Sequence, residues 1–268
     1  MISFIRSAWR SGLRGRSFQV VFLLGLALVA AAYLASMFSP RQPQTVALDV
    51  GLSGMRFTLI LLALFWVQEL VGREIERRTV VLTLAYPMPR SRYLIGRFLG
   101  IGLLLAIATL VLALLLWAMV LWSGGGYEQA RKVSLGSAYW VTIGGLFLGV
   151  LVVLAFAMCL SALSTVLVLP FALGIGFAII GNSLGAVMDF LLTRQADGDQ
   201  AMAARFGPII DIVRWTIPDL SRLDWRDWTL YGTTPDFTAI LWAIAMGLGY
   251  ATLMLAIGVL AFRRREFG

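Results

Sequence analysis

The side chains able to do chemistry are few, and most of them fall in one stretch. Arg73 is followed by Glu74, Glu76, Arg77 and Arg78. Glu74 stands i,i+3 from Arg77 and i,i+4 from Arg78, a spacing that pairs opposite charges along one side of a helix. Ile75, Val80, Val81, Leu82 and Leu84 give that helix an apolar side. Pro87 stops it, because the ring and the missing N–H cannot continue the ladder, and a basic run restarts at Arg90. This is the chemistry of docking rather than of bond making: either a short charged helix sits where a soluble partner could dock, or the stretch is an inner loop whose arginines merely follow the positive-inside rule. A second set lies just before it. Glu69 follows a long apolar run, and an acid near a membrane interior is a functional candidate because its insertion costs ~2.5–3.5 kcal/mol. It also lies four residues before Arg73, so an interfacial Glu69–Arg73 ion pair is the reading the spacing favours. Phe65, Trp66 and Gln68 precede it, and Asn182 is the polar residue of a later apolar run. These four suit either a conduction path or ordinary packing and cross-helix bonding.

The absences narrow the chemistry further. There is no His, which removes the commonest general base, proton shuttle and metal ligand. The single Cys159 sits in an apolar run, so no disulfide framework and no multi-thiolate metal site is expected. The only lysine, Lys132, has no glycine-rich loop before it, and a phosphate-cradling loop needs G-x-x-x-x-G-K-[ST]. The chain therefore cannot be a P-loop ATPase. Lacking a catalytic set, it does not read as an enzyme, and no cofactor is expected in it.

The elements that position these residues are membrane helices. Of 268 residues, 60% are hydrophobic and 13% charged, against about 25% charged in a soluble domain, so most of the surface must face lipid. A bilayer core of ~30 Å takes roughly 20 apolar residues. Spans are predicted at about 18–38, 54–72, 98–122, 138–161, 166–188 and 237–262. The break between the fourth and fifth falls at Ser161-Ala-Leu-Ser-Thr165. The second span is the shortest, since only Phe57 to Gln68 are uncharged, about 18 Å at 1.5 Å per residue. It reaches across if Arg56 snorkels outward and Glu69 sits in the inner interface.

Arginine placement supports six spans. With that number, Arg6, Arg10, Arg14 and Arg16, the six arginines from Arg73 to Arg97, and Arg263 to Arg265 all fall on the inner side, as the positive-inside rule requires. Both termini are then cytoplasmic, and residues 39–54, 123–136 and 189–236 lie outside. The net charge of +8, which in a soluble protein would suggest nucleic acid, is accounted for by this asymmetry. Ile2, Ile5, Trp9 and Leu13 share one face of a basic N-terminal helix suited to the inner interface. The long 189–236 loop carries Met202, Phe206, Ile209, Ile210 and Val213 at helical spacing, with Trp215, Trp225 and Trp228 suited to an interfacial belt. It is either a cap that gates release or holds an extracytoplasmic partner, or a passive interfacial plug. Gly145-xxx-Gly149 and Gly181-xxx-Gly185 predict close helix packing, and Asp189 is interfacial.

The pattern E-x-E-R-x-T-x-x-x-x-L-x-Y-P-x-x-R-x-x-Y-L-x-G-R-F, from Glu74 to Phe98, resembles the segment after the second span of ABC-2 type permeases, the membrane subunits of ATP-binding cassette exporters. The basic elbow helix at 1–16, Pro218-Asp-Leu-Ser-Arg-Leu-Asp224 and the ending Ala261-Phe-Arg-Arg-Arg-Glu-Phe267 extend the resemblance over nearly the whole chain. It is nearest the small stand-alone permeases that include the one serving nitrous-oxide-reductase maturation. The resemblance implies an all-α polytopic membrane protein of one domain, with six transmembrane helices, an elbow helix, a cytoplasmic coupling helix at 73–86 and an extracytoplasmic helical cap. It implies a homodimer with two copies of a cytoplasmic ATPase that binds ATP and magnesium. Glu74, Glu76, Arg77, Arg78, Leu82, Tyr86, Pro87 and Arg90 would make the ATPase contact. Spans one, two and five would line the path between the two copies. A secondary transporter driven by an ion gradient, with Glu69 or Asp189 as coupling acid, is the alternative; it usually carries repeats and broken helices at midplane, and no repeat is found here.

Overall fold

The computed structural model describes residues 16–39, 41–73, 90–123, 133–164, 166–196 and 216–264. The helices are α1 (Arg16–Met37), α2 (Pro43–Val67), α3 (Arg90–Ser123), α4 (Ser137–Leu163), α5 (Leu169–Ala196), α6 (Arg226–Tyr231) and α7 (Phe237–Arg264). A π-helical turn, Gln68–Gly72, continues α2, and a 3-10 turn, Leu220–Leu223, precedes α6. No strand occurs among the described residues. All of α1, α2 with its π turn, α3, α4, α5 and α7 are long and apolar enough to cross a bilayer. Consecutive spans alternate in direction, so one end of the bundle, here the upper end, gathers the α1–α2 turn, the end of α3, the start of α4 and the 216–236 segment.

The second span differs from its expected bounds. It begins at Pro43 and runs to Gly72, 30 residues, or about 45 Å at 1.5 Å per residue. Residues 43–53, expected in an outer loop, are helical. Proline at the first helical position costs no hydrogen bond and marks this start. The connection from α1 is a tight turn, closed by Phe38 N–H to Ala35 O and Gln42 N–H to Ser39 O at 3.2 and 3.3 Å. Arg56, which shortened the uncharged run, and Asp49 are both paired by the 216–236 segment. Arg56 therefore does not snorkel outward; it turns to Asp224.

The core lies along α4. In its most apolar stretch 67% of residues are buried, against 22% in α1 and in α7, so α4 is the inner helix and the latter two present broad faces outward. The largest enclosed side chains are Trp66, Tyr139 and Phe262. The Tyr139 hydroxyl donates to Ala113 O at 2.6 Å, and Thr58, Thr109 and Ser161 donate to the carbonyls four residues earlier. Each removes a polar group that lipid or apolar packing could not satisfy. Trp122, Trp140 and Trp242, 81%, 42% and 75% exposed, stand near the upper ends of α3, α4 and α7, where amphipathic rings favour the headgroup level. The elbow (1–15), Met202 to Val213, Trp215 and most of the coupling segment lie outside the described residues.

Candidate functional site

The polar groups that meet in this bundle come from three elements. Asp49, Ser53 and Arg56 recur at i, i+4 and i+7 and so share one face of α2. Arg56 lies about 20 Å along the helix from Pro43. Asn182 comes from α5, while Asp224 and Arg226 belong to the 216–236 segment, which reaches down between the spans to find them.

Arg56 Nη2 lies 2.5 Å from Asp224 Oδ2, and Arg56 Nη1 donates to Asn182 Oδ1 at 3.2 Å. Arg226 Nε approaches the same Asp224 oxygen at 2.8 Å. Its Nη1 donates to Asp49 Oδ1 at 2.9 Å and to Ser53 Oγ at 3.0 Å. Two guanidiniums and two carboxylates sum to zero charge, which is how four ionised groups persist in so apolar a place; an unpaired one would be strongly destabilising. Asp224, Arg56 and Arg226 are 17%, 19% and 22% exposed at their side chains, and Asp49 is 51% exposed, so the network opens to the surface on the side of Asp49 and the exposed Ser53. Burial alone would raise the Asp224 pKa, but Arg56 and Arg226 outweigh it and hold the carboxyl below its ordinary value. Burial likewise works against the Arg226 charge, and Asp224 and Asp49 more than restore it.

The segment is shaped locally to deliver these groups. Asp219 caps the 3-10 turn, accepting from Ser221 N–H at 3.2 Å and from the Ser221 hydroxyl at 2.5 Å. Gly232, with φ of 71°, ends α6 in the left-handed conformation that glycine adopts without penalty. Thr142 of α4 lies 3.0 Å from Trp225 O and 2.8 Å from the Thr229 hydroxyl, fastening the segment to the central helix.

The two glycine pairs do something other than seat helix on helix. A Cβ on Gly145 would stand 2.3 Å from Leu223 O and 2.9 Å from the Trp225 ring. On Gly181 it would meet Leu220, and on Gly185 the Ser221 hydroxyl at 2.2 Å. Three of the four glycines thus remove side chains where the segment enters between α4 and α5. The fourth, Gly149, is merely near it, 4.0 Å from Leu223. Trp225 is buried in this seat rather than lying in an interfacial belt. Beside it, between α2 and α5, is a cavity of about 330 Å³ bordered by Arg56, Phe57, Ile60, Ile175, Asn182 and Arg226, apolar except where the network closes one side.

The residues singled out from sequence do not converge. Asn182 joins the upper network and also donates to Ala178 O at 2.7 Å. Phe65, Trp66, Gln68 and Glu69 lie nearer the lower end of α2. Trp66 is fully buried and stacked on Phe18 at 5.7 Å, a packing role, and Phe65 meets Phe171 at 4.9 Å. Gln68 and Glu69 open the π turn. The expected Glu69–Arg73 ion pair does not form: Arg73 is exposed, and Glu69 Oε2 is buried with no hydrogen-bond partner. Glu74, Glu76, Arg77, Arg78, Leu82, Tyr86 and Pro87 lie outside the described residues, and Arg90 is the first residue of α3. The side chain of Asp189 is likewise outside them. Asp49, Asp224 and Arg226 were missed from sequence. Their signal was faint: two charges and a serine on one face of an apolar helix, with partners more than 160 residues away.

The sequence model of a protein family described as "ABC-2 family transporter protein" matches residues 5–267. Two curated relatives are each named "Probable ABC transporter permease protein NosY". The one from Pseudomonas aeruginosa is 38% identical and the one from Stutzerimonas stutzeri 33% identical, both over 112 residues. The matched stretch is 40% of this chain and 40% of each relative, so the chain spans about two fifths of the length of the curated relatives it matches. Six helices long and apolar enough to cross a membrane and a family match over nearly every residue agree: this chain belongs to the ABC-2 family of transporter proteins and is a multi-pass membrane protein.

Proposed function

We propose that this chain is the permease through which ATP hydrolysis by a separate cytoplasmic subunit drives work across the bacterial inner membrane. That work is export of a substrate or mechanical action on an extracytoplasmic partner. The observation that carries this reading is the course of α2. It runs from the ion network at the upper end to Gly72 at the lower end, and the charged 73–86 stretch follows at once in sequence. A push received by that stretch enters a stiff helix whose other end holds the 216–236 segment.

In this reading the lower end is cytoplasmic, because the arginine-rich stretches lie there. The upper end is extracytoplasmic and both termini are inside. The working unit is two copies of this chain with two ATPase subunits, which bind the ATP and magnesium. The outward faces support pairing of copies: Leu23 of α1, Phe57 of α2 and Ile179 of α5 are 63%, 53% and 61% exposed, apolar surface that lipid or a second copy must cover. The 73–86 stretch is the coupling element, and this chain has no hydrolytic role of its own.

The test replaces Glu74 and Glu76 together with arginine. The charge-reversed chain should still insert and dimerise, but its ATPase should no longer co-purify, or should hydrolyse ATP without transport. Recovery of the ATPase at the unaltered level with transport intact would sink the proposal.

A further inference from the structure

We propose that Asp224 is a positioning residue that makes the 216–236 segment a rigid extension of α2, so that movement of α2 carries the segment with it. The inference rests on the ATP-coupled reading above and adds the route by which motion leaves the membrane. Three observations carry it.

The first is connectivity. No proline interrupts α2 between Pro43 and Gly72, and a continuous helix transmits displacement along its axis. The second is the kind of bond. Asp224 accepts from Arg56 at 2.5 Å and from Arg226 at 2.8 Å, and Arg226 returns to Asp49 and Ser53 on the same face of α2. The segment is therefore tied to α2 at three positions spread over two helical turns. That geometry fixes orientation as well as distance, and charge-assisted bonds are roughly twice as strong as neutral ones. The third is the seat. Against α5 the segment meets Gly181 and Gly185, positions without side chains to interlock. The segment's directional bonds run to α2 and, through Thr142, to α4, while on α5 it rests in a smooth groove, so a displacement of α2 reaches it through the charged tie.

The network is the junction because it is closed. All four charges are paired internally, and Asn182 and Ser53 satisfy two further guanidinium N–H groups. Exchanging Asp224 for asparagine leaves two buried guanidiniums sharing one partly exposed carboxylate, Asp49. The ionic tie to Arg56 is then reduced to at most a neutral hydrogen bond while the backbone of the segment and its Thr142 contacts are untouched.

The experiment uses the assembled transporter, this chain with its ATPase, in lipid nanodiscs. Cys159 is replaced by alanine and Tyr231, half exposed on α6, by cysteine as reporter. The labelling rate with a membrane-impermeant maleimide is measured without nucleotide and with ATP trapped by vanadate. With the network intact the rate should differ between the two states. Asp224→Asn and Arg56→Gln should each abolish the difference while the ATPase stays bound. The double variant should show no greater loss of nucleotide dependence than Asp224→Asn alone, since the Arg56–Asp224 contact is common to both. Arg56→Lys, which keeps the charge, should recover part of it. A merely structural role would lower the unfolding midpoint and leave the nucleotide dependence in place. If Asp224→Asn folds poorly, Arg56→Gln makes the same cut from the α2 side. Equal nucleotide dependence in intact and cut networks overturns the proposal and spares the ATP-coupled reading, as does no dependence in an intact complex that retains its ATPase. Failure of the ATPase to assemble with the unaltered chain overturns both.

Discussion

Gly145→Ala is the sharpest perturbation the structure offers, because a single methyl group meets a backbone atom. The added Cβ would stand 2.3 Å from Leu223 O, where carbon and oxygen settle no closer than about 3.3 Å even in favourable C–H···O contacts. The segment must withdraw by about 1 Å. A carbonyl cannot swing aside as a side-chain end can, and the Trp225 ring at 2.9 Å blocks the neighbouring route. Overpacking of this kind costs about 1–3 kcal/mol, a roughly five- to more than hundredfold fall in the folded-to-unfolded ratio at 1.4 kcal/mol per factor of ten. Leu223 is adjacent to Asp224, so the retreat also lengthens the 2.5 Å contact with Arg56. Two neighbours on the same helix supply the controls. A Cβ on Gly144 meets nothing within 4 Å, and one on Gly149 only Leu223 at 4.0 Å. Both alanine variants should be neutral or gain up to about 1 kcal/mol from helix propensity. Unfolding of the purified chain in mixed micelles, followed against increasing denaturing detergent, gives all three differences in one series. If Gly145→Ala is as stable as Gly144→Ala, the segment does not occupy the seat described.

The pH dependence has a defined sign. The Asp224 carboxyl titrates below its ordinary value of 3.8 in the folded chain, so its stabilising contribution is complete above that value and is lost as pH falls through the lowered one. The unfolding midpoint of the unaltered chain should drop more on acidification than that of Asp224→Asn, and parallel curves would contradict the network. Topology can be read separately: in a Cys159→Ala background, Ser91→Cys should resist an impermeant maleimide added to sealed cells, and labelling there would reverse the assigned sidedness.

The helices were legible because lipid leaves few choices: every backbone group must be satisfied within a helix, so long apolar runs translate directly into spans. Arg56 marks where that logic stops. A single arginine near an apolar run reads as an end, yet it is interior to α2 because its neutralising carboxylate, Asp224, arrives from far along the chain. Hydropathy carries no record of such a partner. The glycine pairs show the same limit from another side. Their spacing announces a close approach but does not say whether a helix or an irregular strand of chain makes it. Glu69 and Arg73 show a further limit: spacing names possible partners, yet Arg73 is exposed while Glu69 Oε2 is buried away from it. Asn182 was found as a polar residue in a span, but its bond to Arg56 depends on the packing of α5 beside α2.

Order of synthesis gives the α1–α2 turn and the glycine seat a further meaning. Contacts between neighbours in sequence form first, and α1 and α2, joined by a few residues, meet as soon as both have emerged. Arg56 is placed at that moment. Asp224 follows 168 positions later, after α3, α4 and α5 have been made. Until then the bundle holds a guanidinium whose acid does not yet exist, beside a slot kept bare by Gly145, Gly181 and Gly185. The segment from Pro218 to Trp225 is thus the keystone laid last. A chain truncated before residue 218 would retain five complete spans but leave Arg56 without Asp224, beside a seat with nothing to fill it.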